Sequence, residues 1–313
     1  MEAKRTFPLQ DAVSRILDGS SILLFPGHES AALAFEIVRQ GKKNLTIITS
    51  SYCFSADLLV RSGAVKRVLS GGLDLWSYPD ETPAAIAEVP AALLQSQLSA
   101  ALSGTSCVAA HVPPQAPEVF PELYREMGGA WLARAIVPDF AILHAARADF
   151  IGNVQLDPTE NGLMSGDLLY AQAAKQSLIS AEQIVTAEAI AMNEKQTILR
   201  AAQQPLLIEA PYGAYPCGYA SRYSADEVWL TQYRQAQTDA GLLRTALPAF
   251  PASGSWYDYL QQLGFHRLMA LTTKLTIIKP PKTIKLKKYN HACGKTSITG
   301  RAIVDAQPSS VTT

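Results

Sequence analysis

The sequence predicts an α/β protein, an open and mainly parallel sheet flanked by helices, with a short basic tail after it. Three observations predict this. Through the first hundred residues short apolar runs alternate with helix-like stretches, the pattern of βαβ units. Two of the runs, Ser21-Ile22-Leu23-Leu24-Phe25 and Leu45-Thr46-Ile47-Ile48, are nearly continuous in apolar side chains, as strands covered on both faces are. The 313 residues are 48% hydrophobic and 17% charged, which supplies one large or two ordinary globular cores and excludes disorder and coiled coil as overall classes.

The elements follow in order. From Asp11 to Leu17 a helix is expected, with Ala12, Val13, Ile16 and Leu17 on one face and Gly19 as its stop. The strand 21–25 is broken by Pro26-Gly27, and a helix from Ser30 carries Leu33, Phe35, Ile37 and Val38 toward Gly41. The strand at 45–48 completes a strand, tight loop, helix, strand unit. Ser55 to Ser62 reads as a helix ended by Gly63, and Val65 to Leu69 as the next strand. Pro83 to Ser103 is rich in Ala, Leu and Gln and reads as mostly helical. Four prolines between 105 and 137 predict an ordered loop region there. Ala141 to Ala145 is a strand leading into a turn at Asp149 to Asn153, with Val154 to Leu156 pairing beside it. A helix from Asp167 to Gln176, a strand at Gln183 to Thr186 and another at Pro205 to Glu209 precede a Gly-, Pro- and Tyr-rich stretch, 211–223, whose tyrosines read as packed meander. Helices at Asp226 to Ala240 and Trp256 to Leu263 close the body near residue 273. No repeat or long interior linker forces a split, so residues 1–273 are expected as one domain.

Charge sets that body apart from the tail. Basic and acidic side chains both number 27, but residues 274–313 hold seven Lys, one Arg and one Asp, about +7, which leaves about −7 upstream. A neutral chain has no global basic field, so nucleic acid is not expected as a partner. No run approaches the roughly 18 to 20 apolar residues of a membrane helix, and Met1 to Pro8 lacks the apolar centre of a signal peptide, so no membrane association and a cytoplasmic setting are expected. The cysteines at 53, 107, 217 and 293 are widely separated and the five histidines scattered, so neither metal nor disulfide framework is expected. Cys217, without a basic neighbour in sequence, is no thiolate candidate.

Two loops at strand ends are candidate sites. The first is Pro26-Gly27-His28-Glu29-Ser30, which matches neither G-x-G-x-x-G nor G-x-x-x-x-G-K-[ST], so dinucleotide and P-loop chemistry is disfavoured. It does offer a helix N-terminus whose free N–H groups would stabilise an oxyanion or carboxylate, with His28 and Glu29 as acid/base groups. The same end is expected to lower the Glu29 pKa and to keep His28 neutral. The plainer reading is that Glu29 complements the dipole of this helix and that Ser30 or Glu29 caps it. The second loop is Arg147-Ala148-Asp149-Phe150-Ile151-Gly152-Asn153. There Arg147 would face an anionic ligand, unless Asp149 and Asn153 simply hold the turn.

Together these segments resemble the α-type subunit of class I (family I) CoA-transferases, especially the A-type chains of the glutaconate CoA-transferase group. The carriers are Asp18-Gly19, the strand and loop 21–30, Glu36-Ile37-Val38-Arg39-Gln40-Gly41-Lys42-Lys43-Asn44-Leu45-Thr46-Ile47-Ile48, and Gly63-Ala64-Val65-Lys66-Arg67-Val68. Asp139-Phe140-Ala141, Ala148-Asp149-Phe150-Ile151-Gly152-Asn153, Glu182-Gln183-Ile184-Val185 and Pro211-Tyr212-Gly213-Ala214-Tyr215-Pro216 continue the match, which spans about Asp11 to Leu263. The resemblance implies the CoA-transferase-like fold and obligate pairing with a homologous β-type subunit. It implies no cofactor beyond the coenzyme A thioester that is the substrate, and a carboxylic acid as acceptor. The glutamate that attacks the thioester, forming an anhydride and then a glutamyl-CoA thioester, would belong to the β-type chain. This chain would contribute Gly27, His28 and Glu29 as catalytic residues, with Ser30, Arg147, Asp149, Gly152 and Asn153 as substrate-binding residues.

Two departures bear on activity. The family loop usually reads Gly-Gly-Phe, whereas Gly27-His28-Glu29 brings two acid/base groups, which suits an alternative as the α-type chain of a hydrolase of cyclic acyl-CoA in steroid breakdown. Thr159-Glu160-Asn161-Gly162 looks like the glutamate string of β-type chains but follows Gly152-Asn153 too closely, and reads as an Asn-Gly turn. A second alternative is a non-catalytic effector-binding module of the same fold class.

Overall fold

A computed structural model describes residues 6–72, 84–157, 166–219, 222–236 and 254–272. The basic tail expected at 274–313 and the string 159–162 lie outside the described residues, as does the end of the helix expected to reach Ala240. In chain order the strands are β1 (Ser21–Leu24), β2 (Leu45–Thr49), β3 (Val65–Ser70), β4 (Ala85–Glu88), β5 (Cys107–Ala110), β6 (Tyr124–Met127) and β7 (Ala130–Arg134). They continue with β8 (Phe140–Ala145), β9 (Arg147–Asp149), β10 (Val154–Gln155), β11 (Gln176–Ala181), β12 (Ile184–Val185), β13 (Thr197–Leu199) and β14 (Leu206–Glu209). The helices are α1 (Leu9–Ser14), α2 (Ala31–Arg39), α3 (Phe54–Arg61), α4 (Ala91–Leu102), α5 (Gln115–Val119), α6 (Ala187–Ala191), α7 (Glu227–Ala236), α8 (Trp256–Leu263) and α9 (Phe265–Leu271).

Seven parallel strands form the main sheet in the order β14-β11-β8-β1-β2-β3-β4. Continuous apolar strands demand cover on both faces, and they have it. Ile22 and Leu24 of β1, with Leu45 and Ile47 of β2, pack against α1 to α3 and the aromatic side chains of α7 and α8. Leu23, Phe25 and Ile48 point the other way, into a second core with α4 and Phe120. The chain lays β2, β3 and β4 on one side of β1 and then β8, β11 and β14 on the other, so strand order reverses at β1. In such sheets the crevice outside the carboxyl ends at that reversal is where ligands bind.

Most boundaries agree with the sequence to within two residues, and the differences have local causes. Helix α1 ends at Ser14, and Leu17, placed on its buried face by periodicity, is 70% exposed. The helix expected over 83–103 starts as strand β4, because its Ala-rich run pairs with β3 before Pro90 opens α4. The loop expected over 105–137 is an antiparallel sheet in the order β5-β7-β6. Its hairpin turns on Gly128-Gly129, both at positive φ (62° and 80°), a glycine pair whose turn signal outranks the prolines around it. In place of a helix reaching Gln176 there is a 3-10 helix, Gly166–Ala173, followed by β11. Chain continuing past the carboxyl ends of β8 and β11 folds into a small sheet, β12-β9-β10-β13.

Candidate active site at the carboxyl end of the sheet

The loop after β1 stands at the strand reversal. Gly27 (φ 79°) and His28 turn the chain, with the His28 N–H donating to the Phe25 carbonyl at 3.1 Å. A left-handed φ there favours glycine. Ser30 is the N-cap of α2, its Oγ accepting the Leu33 N–H at 3.4 Å, and it is 1% exposed. The Ala32 N–H donates to the Gly213 carbonyl at 2.9 Å. Two N–H groups at this helix end are therefore engaged inside the protein, one of them by the Ser30 cap that the plainer reading expects.

Glu29 does not serve its own helix. Its Oε2 accepts the Ser55 N–H at 2.8 Å, at the first turn of α3, so it ties the β1 loop to the helix after β2. Burial raises its pKa above the ordinary carboxylate value, against the lowering effect of the Ser55 and Phe54 N–H groups. This is the reverse of the sequence expectation, because desolvation outweighs the helix end. His28 does stay neutral: burial, and then the proximity of His144, lower its pKa to about 4. Its Nδ1 is enclosed and without a hydrogen-bond partner. The thiols nearby are not nucleophiles, since burial pushes Cys53 and Cys217 well up, with Glu29 adding to both.

Residues that sequence reasoning left out stand directly behind this loop. His144, next to last in β8, is fully buried; its Nδ1 meets Ser180 Oγ at 2.7 Å and its Nε2 meets Glu182 Oε1 at 2.6 Å. Ser180 Oγ in turn meets Ser30 Oγ at 2.7 Å. Glu182 also accepts from the Tyr223 hydroxyl (2.8 Å) and the Tyr212 N–H (3.0 Å). Burial works against its charged form, but the His144 bond and these two donors hold its carboxyl below the usual range. A histidine and a serine inside otherwise apolar strands were the available signal. His144 lay in an expected strand, whereas Ser180 fell between an expected helix ending at Gln176 and an expected strand starting at Gln183.

The second loop closes on itself. Asp149 is fully buried, and its carboxylate accepts the N–H groups of Ile151, Gly152 and Asn153 and the Asn153 side-chain amide, all within 2.7–3.0 Å. Asn153 Oδ1 accepts the Ala201 N–H at 3.0 Å, and Gly152 has φ 117°. Asp149 and Asn153 thus hold the turn. Arg147 reaches Asp157 at 3.4 Å, while Arg222 grips the same carboxylate from Nε at 2.5 Å. Arg147 and Arg222 thus share one carboxylate, with Glu182 close enough to Arg222 to favour its charged form. Among the described residues no group of three His, Cys, Asp or Glu is placed to hold a metal, and no helix is long and apolar enough to cross a membrane.

Comparison with known proteins bears on this arrangement. A family model described as coenzyme A transferase matches residues 8–201. The A-type subunit of 3-oxoadipate CoA-transferase from Pseudomonas knackmussii is 28% identical over 237 residues, covering 69% of this chain and 82% of that one. An uncharacterized protein of Archaeoglobus fulgidus is 25% identical over 289 residues, 84% of this chain; the chain spans 63% of that relative's length. Among solved structures, glutaconate coenzyme A-transferase of Acidaminococcus fermentans superposes with a TM-score of 0.73 at 20% identity, over 86% of this chain and 96% of that one. The decarboxylase AibA/AibB superposes with a TM-score of 0.61 at 26% identity, over 79% and 98%.

Proposed function

The chain belongs to the coenzyme A transferase family, and we propose that it is the α-type half of a two-subunit enzyme moving CoA between an acyl-CoA thioester and a carboxylic acid. The observation that carries the reading is the state of the acid and thiols at the strand reversal. Glu29 is tied to Ser55, and Cys53 and Cys217 are held protonated by burial. None of these three groups is a free nucleophile, which suits an attacking carboxylate supplied by a homologous β-type partner, as the resemblance to α-type chains implies. That carboxylate adds to the thioester carbonyl and expels CoA thiolate, leaving an acyl-glutamyl anhydride. The thiolate then attacks the glutamyl carbonyl and releases the acid as its carboxylate. The second acid reverses both steps.

In this scheme Gly27, His28 and Glu29 shape the wall against which the thioester carbonyl lies. Arg147, beside Arg222, faces the anionic group of the substrate, while Asp149, Gly152 and Asn153 fix the loop that carries it. A cytoplasmic setting belongs to the same proposal, as does the absence of a resident cofactor.

A hydrolase needs His28 or Glu29 as a base; a ring with a pKa of about 4 is a weak one at neutral pH, and the Glu29 carboxyl is engaged by the Ser55 N–H. The test is turnover of the assembled pair with and without an added carboxylate acceptor. Under the transferase reading, exchange requires the acceptor, and His28→Ala costs about tenfold or less through loop packing. A loss of about a hundredfold with acceptor-independent release of free acid would replace it with the hydrolase.

A further inference from the structure

Behind the β1 loop runs a line of buried hydrogen bonds that no step of the exchange uses: Ser30, Ser180, His144, Glu182 and Tyr223. An imidazole, a carboxylate and three hydroxyls in an interior cost more than apolar side chains of equal volume, even when fully paired. The line is also not a nucleophilic triad. Ser180 lies within β11 with no exposure, and its Oγ is held by both Ser30 and His144.

Where the line ends is informative. His144 touches the loop at two points, through its backbone N–H, which donates to the His28 carbonyl at 2.8 Å, and through Ser180 to the Ser30 hydroxyl. These points bracket Glu29, whose carboxylate is fixed sideways on Ser55. The ring itself has no freedom. A Cβ at Gly213 would lie 2.6 Å from its Cε1 and 2.7 Å from its Nδ1, and Tyr219 stands edge-on with ring centroids 4.6 Å apart. With the Nε2–H donated to the Glu182 carboxylate, Nδ1 meets the Ser180 hydroxyl at 2.7 Å, as acceptor or donor according to the ring's protonation. When Nδ1 accepts, Ser180 Oγ can accept from Ser30, whose own oxygen still caps Leu33.

We propose that His144 is a positioning residue, which through Ser180 holds Ser30 and so sets the height and angle of the His28–Glu29 wall, with Glu182 holding its ring in place. This rests on the transferase reading for its catalytic consequence, though not for its structural one. Misplacing such a wall by about 1 Å is the kind of error that costs up to a hundredfold in rate.

Two measurements test it. In the pair assembled with its partner, Ser180→Ala and His144→Gln should each lower kcat about ten- to a hundredfold with KM within about twofold. His144→Asn, whose amide stands where Nδ1 stood, should recover most of the loss. In the chain alone, Ser180→Ala should speed amide hydrogen exchange across 26–33 by about tenfold or more, with the amides of β2 unchanged. Unchanged kcat in Ser180→Ala, or equal losses in the Asn and Gln variants, would overturn the catalytic part. Unchanged exchange across 26–33 would overturn the positioning itself. An unmodified pair lacking acceptor-dependent exchange, with the exchange result as expected, would remove the transferase reading and leave the positioning standing.

Discussion

His28 and Glu29 are neighbours whose ionisation is driven by the same cause in opposite senses. Burial disfavours charge, so it lowers the pKa of the imidazole to about 4 from 6.5 and raises that of the carboxyl. For His28 the consequence for stability has a definite sign. The unfolded chain binds this proton near pH 6.5 while the folded chain resists it until about pH 4, so the contribution is complete above 6.5 and lost as pH falls to 4. A shift of this size corresponds to roughly 3 kcal/mol. Urea unfolding of the chain at pH 7.5 and pH 4 should therefore show His28→Gln losing less stability on acidification than the parent, by roughly 2–3 kcal/mol. An identical loss in both would mean that the ring is open to water. Glu29 contributes in the opposite direction: its raised pKa favours the folded state below the unfolded value, and that contribution is lost as pH rises through the folded value.

At the scale of elements, the sequence was most legible where periodicity acts alone and least where pairing partners decide. β1, β2, β3 and β8 could be read because each is apolar, bounded by turn residues and flanked by an amphipathic helix or a sharp turn. β4 and β11 could not. Ala85-Ile86-Ala87-Glu88 has helical composition and becomes a strand only because β3 offers it a ladder, and Gln176 to Ala181 is a strand because it lies between β8 and β14. The loss of β11 also hid half of the site, since Ser180 and Glu182 gain meaning only beside His144. The Asp149 turn, by contrast, was readable from the spacing of Asp, Gly and Asn. Its four donors to one buried carboxylate imply that Asp149→Ala costs about 2–4 kcal/mol, because the N–H groups are left unpaired. Chemical denaturation checks this. A cost within about 0.5 kcal/mol would place the carboxylate outside the turn's support and return it to the substrate.

At the scale of the whole molecule, the proposed two-subunit reading makes this arrangement one half of a site. The β1 loop is braced from behind by His144 and from the side by the first turn of α3, and Arg147 and Arg222 both hold Asp157. Bracing of this kind suits a surface that must hold its shape against a partner. In that reading, a wall of backbone, a neutral imidazole and an occupied carboxyl orients a thioester carbonyl but does not exchange the thiol, because exchange needs a free carboxylate able to carry CoA. The isolated chain should accordingly show no turnover on any acyl-CoA, and addition of the β-type partner should restore it. Borohydride or hydroxylamine trapping during turnover then locates the intermediate. The label is expected on the partner, and Glu160→Ala should keep most of the activity. Label on Glu160, or turnover by the pure single chain, would place the nucleophile here and turn the two-subunit reading around.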